Sequence, residues 1–151
     1  MLDDTDRAIL RQLQSDPTLS MPELAETVGS TPVRVSRRVD RMAADGVIIG
    51  QTAIIDWRAL GYEVHVSLRI TLDKTITRAF DDFLTAVRAV PEVLEIQTFL
   101  GRVDVRIALI ARDLAHYQRL YRERILTLPH IADIEALMDV AGVKSDMRLP
   151  L

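Results

Sequence analysis

The sequence predicts an α+β fold in two parts, an N-terminal winged helix-turn-helix and a C-terminal ferredoxin-like βαββαβ domain. Three capped segments with helical spacing of apolar residues fill the first 45 residues. From Tyr62 onward a strand-like alternation begins, and segments then follow in the order helix, strand, strand, helix, strand. We therefore assign residues 1–55 to the winged helix-turn-helix, 56–61 to a linker and 62–151 to the second domain.

Each of the three N-terminal helices is marked by a capping residue. Asp3 precedes the first helix, and Ser20 opens the second in a capping box with a glutamate three residues later. Thr31, followed by proline, opens the third helix, which Gly46 ends. Gly29 lies in the turn between the second and third helices. Two short helices joined by such a turn, behind a first helix, predict a helix-turn-helix.

The segment after the third helix leads into the linker. Residues 47–55 are typical of a strand pair or wing. Residues 56–60 predict one helical turn that Gly61 closes, and we place the domain boundary there.

The second domain is predicted from its apolar periodicity. The first strand alternates through Val64, Val66, Leu68, Ile70 and Leu72, and the following helix carries Phe80, Phe83, Leu84 and Val87. Strands near 93–100 and 103–111 meet at Gly101, Asp113 caps a second helix, and residues 131–140 form the last strand. This order places both helices on one face of an antiparallel sheet. Because large apolar faces are seldom left to water, we expect a partner subunit on the other face.

Composition narrows the class of protein. An apolar fraction of 48% is that of a globular chain with a core, and the absence of cysteine excludes disulfides and thiol nucleophiles. The three histidines lie too far apart for a local metal motif, so no metal or cofactor is expected. The acidic N-terminus and the lack of a long apolar stretch predict a cytoplasmic protein. A net charge of −3 argues against nonspecific coating of nucleic acid.

The third helix carries the functional signal. Four arginines fall within an arc of roughly 100° at helical periodicity, and they are Arg34, Arg37, Arg38 and Arg41. A neighbouring arc holds Val35, Val39 and Met42, and short polar groups are added by Ser30, Thr31 and Ser36. An apolar side that anchors the helix, beside guanidinium groups that reach phosphates and bases, is typical of a DNA recognition helix. The alternative is a helix made soluble by arginine, but such a face usually mixes charges, and here only Asp40 opposes the arginines.

Short motifs along nearly the whole chain resemble the leucine-responsive and asparagine-responsive regulators, the Lrp/AsnC or feast/famine family. In the first domain they are Leu2-Asp3, Asp6, Ile9-Leu10, Leu24-Ala25, Val28-Gly29, the run from Val35 to Val39, Arg41-Met42 and Gly46-Val47-Ile48. Later they are Gly50, Thr52-Ala53, Leu60-Gly61, Pro91-Glu92-Val93, the turn from Gly101 to Asp104, Leu128-Pro129 and Val143-Lys144. The resemblance implies a regulator that binds double-stranded DNA, forms homodimers that assemble to tetramers or octamers, and responds to an amino acid or related small metabolite.

The resemblance also implies an effector site between dimers. Its residues would be Leu100, Gly101, Arg102, Val103, Asp104 and Ala136, with Asp104 as the partner of the effector's amine. Three positions depart from the family pattern: Arg102 is often acidic, His130 often glycine and Ala136 often threonine. The alternative for Gly101 and Asp104 is a tight hairpin turn that needs those residue types for backbone reasons alone.

Two other functions share this architecture. A siroheme decarboxylase would recruit His65, Arg69 and His116, but that class of enzyme is expected to have a degraded recognition helix. A ligand sensor without DNA binding is the second alternative. The retained arginines favour a transcriptional regulator without catalytic activity, whose dimer places two recognition helices in successive major grooves.

Overall fold

The computed structural model describes residues 1–144 and 148–151, and these divide into two compact units. The first unit is Met1–Ile54 together with the end of the chain, Lys144–Leu151, and the second is Ile55–Val143. The end of the chain contacts the first helix: the Gln14 amide donates to the Leu149 carbonyl at 3.4 Å and accepts from the Leu149 N–H at 2.5 Å. The structure thus groups these last residues with the first unit, whereas the sequence analysis assigns them to the second domain.

Three helices form the first unit: α1 (Asp4–Ser15), α2 (Met21–Thr27) and α3 (Pro32–Ala44). The predicted caps are present, because Asp3, Ser20 and Thr31 each accept from a backbone N–H of the first turn. Gly46 follows α3 with φ 72°, a left-handed conformation that glycine adopts without penalty. The buried core of the unit consists of Ile9, Leu24, Ala25, Val35 and Met42.

The strand pair predicted for residues 47–55 is wrong for this chain, since the structure assigns no strand to them. Only Ile48 packs against the core, while Ile49 is 96% exposed. A strand pair needs a buried face to stabilise it, and a single side chain packed against the core does not make one. In the linker, the predicted turn is present: the N–H of Gly61 donates to the carbonyl of Arg58 at 2.9 Å.

The second unit has the predicted βαββαβ order. Its elements are β1 (Val64–Leu72), α4 (Ala79–Val87), β2 (Val93–Thr98), β3 (Val105–Ala111), α5 (Leu114–Leu120) continued by a π-helical turn (Tyr121–Ile125), and β4 (Ile131–Met138). The sheet order is β2-β3-β1-β4, with antiparallel neighbours throughout. This arrangement confirms the ferredoxin-like fold.

The two faces of the sheet differ in polarity. The alternating residues of β1 and β3, among them Leu68 and Ile107, are buried in the core with Phe83 of α4. Side chains of the opposite set face the other way. There Arg106 donates to Ser67 Oγ at 2.8 Å, and its Nη1 contacts Gln97 Oε1 at 2.6 Å and Glu95 Oε2 at 3.1 Å. The alternation read in the sequence lies under the helices, so the second face is not the apolar one expected. It is mixed, because Ala108 and Ile110, which are 3% and 7% exposed, lie there beside the polar side chains.

Candidate nucleic-acid interface and effector turn

Helix α3 is fixed on one side and open on the other. Val35 and Met42 are fully buried and attach the helix to the first unit. Arg34 and Arg37 are exposed, and neither side chain has a hydrogen bond or ion pair to another described residue. The structure thus leaves two of the four predicted arginines available to a partner molecule.

The other two arginines bind α1. Arg38 Nη1 lies 2.7 Å from Asp3 Oδ2 and 2.8 Å from Asp6 Oδ1. Arg41 Nη2 lies 2.6 Å from Asp6 Oδ2. The side chains of Arg38 and Arg41 remain 30% and 49% exposed, whereas Asp6 is 1% exposed. These ion pairs connect α3 to the start of α1, a role that the sequence analysis missed.

The electrostatics of this cluster favour the ionised carboxylates. Burial by itself raises the pKa of Asp6, but the hydrogen bond from Arg38, the N–H of Asp3 and the charge of Arg41 outweigh it, so the pKa lies below its ordinary value of 3.8. The hydrogen bonds from Arg38 and from the Asp6 N–H likewise lower the pKa of Asp3. Two carboxylates therefore neutralise two guanidinium groups, and the free positive charge of α3 comes from its other arginines.

The short polar residues differ in availability. The Thr31 hydroxyl accepts the Arg34 N–H at 3.4 Å as the helix cap, while Ser30 and Ser36 are half-buried. Val33 is 70% exposed in the first turn of α3. The sequence analysis did not single out Val33. The one sign of it in the sequence is that an apolar residue stands outside the buried arc of the helix.

In the second unit, the predicted effector turn is attached to the end of β1. The N–H of Asp104 donates to the Ile70 carbonyl at 3.0 Å, and the Thr71 hydroxyl donates to the Arg102 carbonyl at 3.0 Å. Gly101 has φ 151°, which disfavours a side chain at that position. Leu100, Gly101 and Arg102 are exposed, Val103 is half-buried and Asp104 is buried. The turn therefore presents backbone and Arg102 outward and its carboxylate inward.

Asp104 already has partners within the chain. Its Oδ2 accepts the Leu72 N–H at 2.8 Å, and its Oδ1 forms an ion pair with Lys74. Burial by itself raises the pKa of Asp104. The hydrogen bonds from Lys74 and from the Leu72 N–H lower it by more, so the pKa lies below its ordinary value of 3.8 and the carboxylate stays charged. Sequence reasoning missed Lys74, although it is one of only two lysines in the chain.

Ala136 lies apart from the turn within one chain. It is exposed on β4, where it pairs with Leu68, and β1 separates it from β3. The structure brings the five turn residues together and leaves Ala136 on another strand.

The histidines considered for catalysis have structural partners. His65 lies on the polar face, where its Nδ1 is 2.5 Å from Asp139 Oδ2. His116, in α5 on the other face, accepts the Arg112 N–H at 3.1 Å. Arg69 on β1 lies 3.6 Å from Glu135. Because the sheet separates His65 from His116, one chain does not assemble them into a site. No group of three metal-binding side chains is found in the part of the chain that the structure describes.

His130 has an unusual backbone conformation. Its φ is 63°, its carbonyl accepts the Asp73 N–H at 2.9 Å, and its Nε2 lies 3.1 Å from Asp82 Oδ2. A side chain is disfavoured in this left-handed region. This conformation suits glycine, the residue that the family resemblance implies at this position.

Comparisons with known proteins cover both units. The family model described as "Lrp/AsnC ligand binding domain" matches residues 65–149, and a winged helix-turn-helix DNA-binding model matches residues 2–49. The leucine-responsive regulatory protein of Escherichia coli K12 is 33% identical over 148 residues, 98% of this chain and 90% of that protein. A DNA-binding transcriptional activator of the same organism, DecR, is 29% identical over 100% of this chain and 99% of its own length.

Solved structures share the complete fold. An AsnC family transcriptional regulator from Agrobacterium tumefaciens superposes with a TM-score of 0.89 at 31% identity, covering 99% of this chain and 97% of its own. A transcriptional regulator from Neisseria meningitidis, solved as a complex with L-Met, has a TM-score of 0.93 at 25% identity, with the same coverage of 99% and 97%. Among the described residues, no helix is both long and apolar enough to cross a membrane.

Proposed function

Because this chain belongs to the Lrp/AsnC family of DNA-binding transcriptional regulators, we propose that it reads double-stranded DNA with α3 and that Arg34 and Arg37 make the principal contacts. The observation that carries this proposal is that the four arginines of α3 fall into a paired set and an exposed set. Two are bound to α1, and two are exposed without a partner among the described residues. Guanidinium groups free of internal partners can make the bidentate contacts that phosphate and guanine accept.

The remaining predicted contacts have supporting roles in this proposal. Arg38 and Arg41 orient α3 and reach phosphates only through their exposed parts. Ser30, Thr31 and Ser36 lie at the start and on the flank of the helix, where hydroxyl groups bind phosphate or base edges. The affinity of this interface therefore depends mainly on two positions.

We further propose a homodimer, assembling to tetramers or octamers, as the DNA-binding form. A dimer presents two recognition helices to half-sites about one helical turn apart. The sheet face opposite the helices is mixed in polarity, so the proposal of this assembly rests on the family resemblance. Light scattering of the purified protein measures the assembly directly, and a monomer at micromolar concentration contradicts it.

For the effector we propose an amino acid or a related small metabolite, bound at the turn of residues 100–104. The names of the relatives support this class, since one is leucine-responsive and another was solved with L-Met. Gly101 allows close approach to the backbone of the turn. Ala136 joins such a site only when a second subunit brings it to the turn.

No catalytic role and no cofactor are part of this proposal, and the place of action is the cytoplasm. The histidines and Arg69 that the siroheme decarboxylase alternative requires are engaged in structural pairs on separate faces. The ligand-sensor alternative differs from a regulator only in DNA binding, which an experiment decides.

The test is fluorescence anisotropy of the native protein with DNA from upstream of its own gene, compared with an unrelated duplex of equal length. We expect preference for the upstream DNA and a change in affinity when an amino acid or a related small carboxylate is added. Equal binding to both duplexes at every salt concentration contradicts the proposal and favours the ligand sensor.

A further inference from the structure

The carboxylate in the effector turn already has a cationic partner. One oxygen of Asp104 accepts a backbone N–H and the other pairs with Lys74, and the residue is only 9% exposed. An effector with an ammonium group would therefore have to compete with the Lys74 ammonium for this carboxylate. The Lys74 ammonium occupies the place that such a group requires.

The acidic residue next to Lys74 in sequence is partly engaged. Asp73, beside Lys74, has its Oδ1 engaged by the Thr75 N–H at 2.9 Å and the Thr75 hydroxyl at 2.7 Å. Arg102 is exposed, and its side chain has no ion pair or hydrogen bond with the rest of the described chain. Among turn residues 100–104, Arg102 is thus a cation open to a carboxylate, whereas the one acidic side chain, Asp104, is already paired with a cation.

A tethered ammonium is an effective competitor. Lys74 is two residues from the backbone donor that binds Asp104, so its effective concentration at the carboxylate is on the order of millimolar or higher. A site that is open for a competing ligand only about a tenth of the time binds that ligand about tenfold more weakly. A ligand that uses Arg102 and the backbone alone does not meet this penalty.

We propose that Lys74 selects against an amine and that the native effector is a small carboxylate without an α-ammonium group, of the α-keto acid class. The inference rests on the proposed effector role of the turn at residues 100–104. It names Lys74 as the residue that sets specificity between an α-keto acid and the matching amino acid.

The experiment is calorimetric titration of the native protein with two matched pairs: L-leucine and its α-keto acid, and L-methionine and its α-keto acid. In at least one pair we expect the α-keto acid to bind about tenfold or more tightly than the amino acid. In Lys74→Met, the affinity for the amino acid should rise about tenfold while that for the α-keto acid stays within about twofold.

Two controls accompany this variant. Lys74→Arg retains the cation and should retain the native preference, and Lys144→Met removes the only other lysine and should change neither affinity. If Lys74→Met does not fold, as judged by circular dichroism, the native comparison decides alone. Tighter binding of the amino acid than of its α-keto acid in both pairs overturns the proposal.

Failure of this inference is separable from failure of the proposed function. If amino acids bind the native protein tightly and their affinity does not change in Lys74→Met, the role of Lys74 is overturned. The proposed effector role of the turn is then retained. If none of the four probes binds while DNA binding is intact, the result contradicts both the effector role of the turn and the inference about Lys74. DNA recognition by α3 is unaffected in either case.

Discussion

The guanidinium group of Arg41 lies 2.6 Å from the carboxylate of Asp6, a side chain that is almost completely buried at the start of α1. The two residues are 35 positions apart. Arg38 binds the same carboxylate through its other oxygen. The ion pairs therefore determine how α3 is held in the helix-turn-helix, and they divide its arginines into a structural pair and an exposed pair.

The first prediction concerns the stability of the first unit. Asp6→Ala removes charged hydrogen bonds to both structural arginines and should lower the free energy of unfolding by on the order of 2 kcal/mol. Arg37→Ala, at an exposed position, should change it by less than about 0.5 kcal/mol. Urea denaturation followed by circular dichroism measures both. Equal stability of the two variants would show that the ion pairs do not hold α3.

The second prediction concerns pH. Because the pKa of Asp6 is lower in the folded chain than its ordinary value of 3.8, its contribution to stability is complete above that value and is lost as the pH falls through the folded pKa. The Tm should therefore drop below about pH 4, with Asp3 contributing in the same direction. Asp6→Asn, which does not titrate, should show a shallower drop. Thermal melts across an acidic pH series measure the difference, and parallel curves for both proteins contradict the prediction.

The third prediction concerns His130, whose φ of 63° disfavours any side chain. His130→Ala keeps the strain and loses the contact with Asp82, whereas His130→Gly loses the contact and relieves the strain. We expect the glycine variant to be more stable than the alanine variant by about 1 kcal/mol. Their midpoints in urea measure the difference. An alanine variant that is equally stable would mean that the left-handed conformation is not retained.

Local signals made most of the fold predictable. Asp3, Ser20 and Thr31 act on backbone groups within one turn of themselves, so their caps could be read from neighbouring residues. The alternation from Val64 to Leu72 likewise identified β1. The residues at 47–55 were misread as a strand pair, because strand formation depends on a buried face that the local sequence does not reveal.

The functional residues were less predictable, because their partners are distant in sequence. All four arginines lie on α3 as the periodicity indicated, but nothing near Arg38 in sequence indicated its pairing with Asp3. Asp104 was singled out, but its partner Lys74 lies 30 positions away, before α4 and β2. The sheet face was also misassigned, since alternation alone does not say which side the helices cover.

The most direct test of the central claim is the salt dependence of DNA binding for the native protein, Arg37→Ala and Arg41→Ala, measured by anisotropy on one duplex that the native protein prefers. Arg37→Ala should retain native stability, bind more weakly and, where a phosphate contact is lost, reduce the slope of log affinity against log salt by about 1. Arg41→Ala should instead lower the Tm and retain most of the slope. Native affinity and slope in Arg37→Ala, with both lost in a fully folded Arg41→Ala, would contradict the assignment of Arg34 and Arg37 as the arginines that contact DNA.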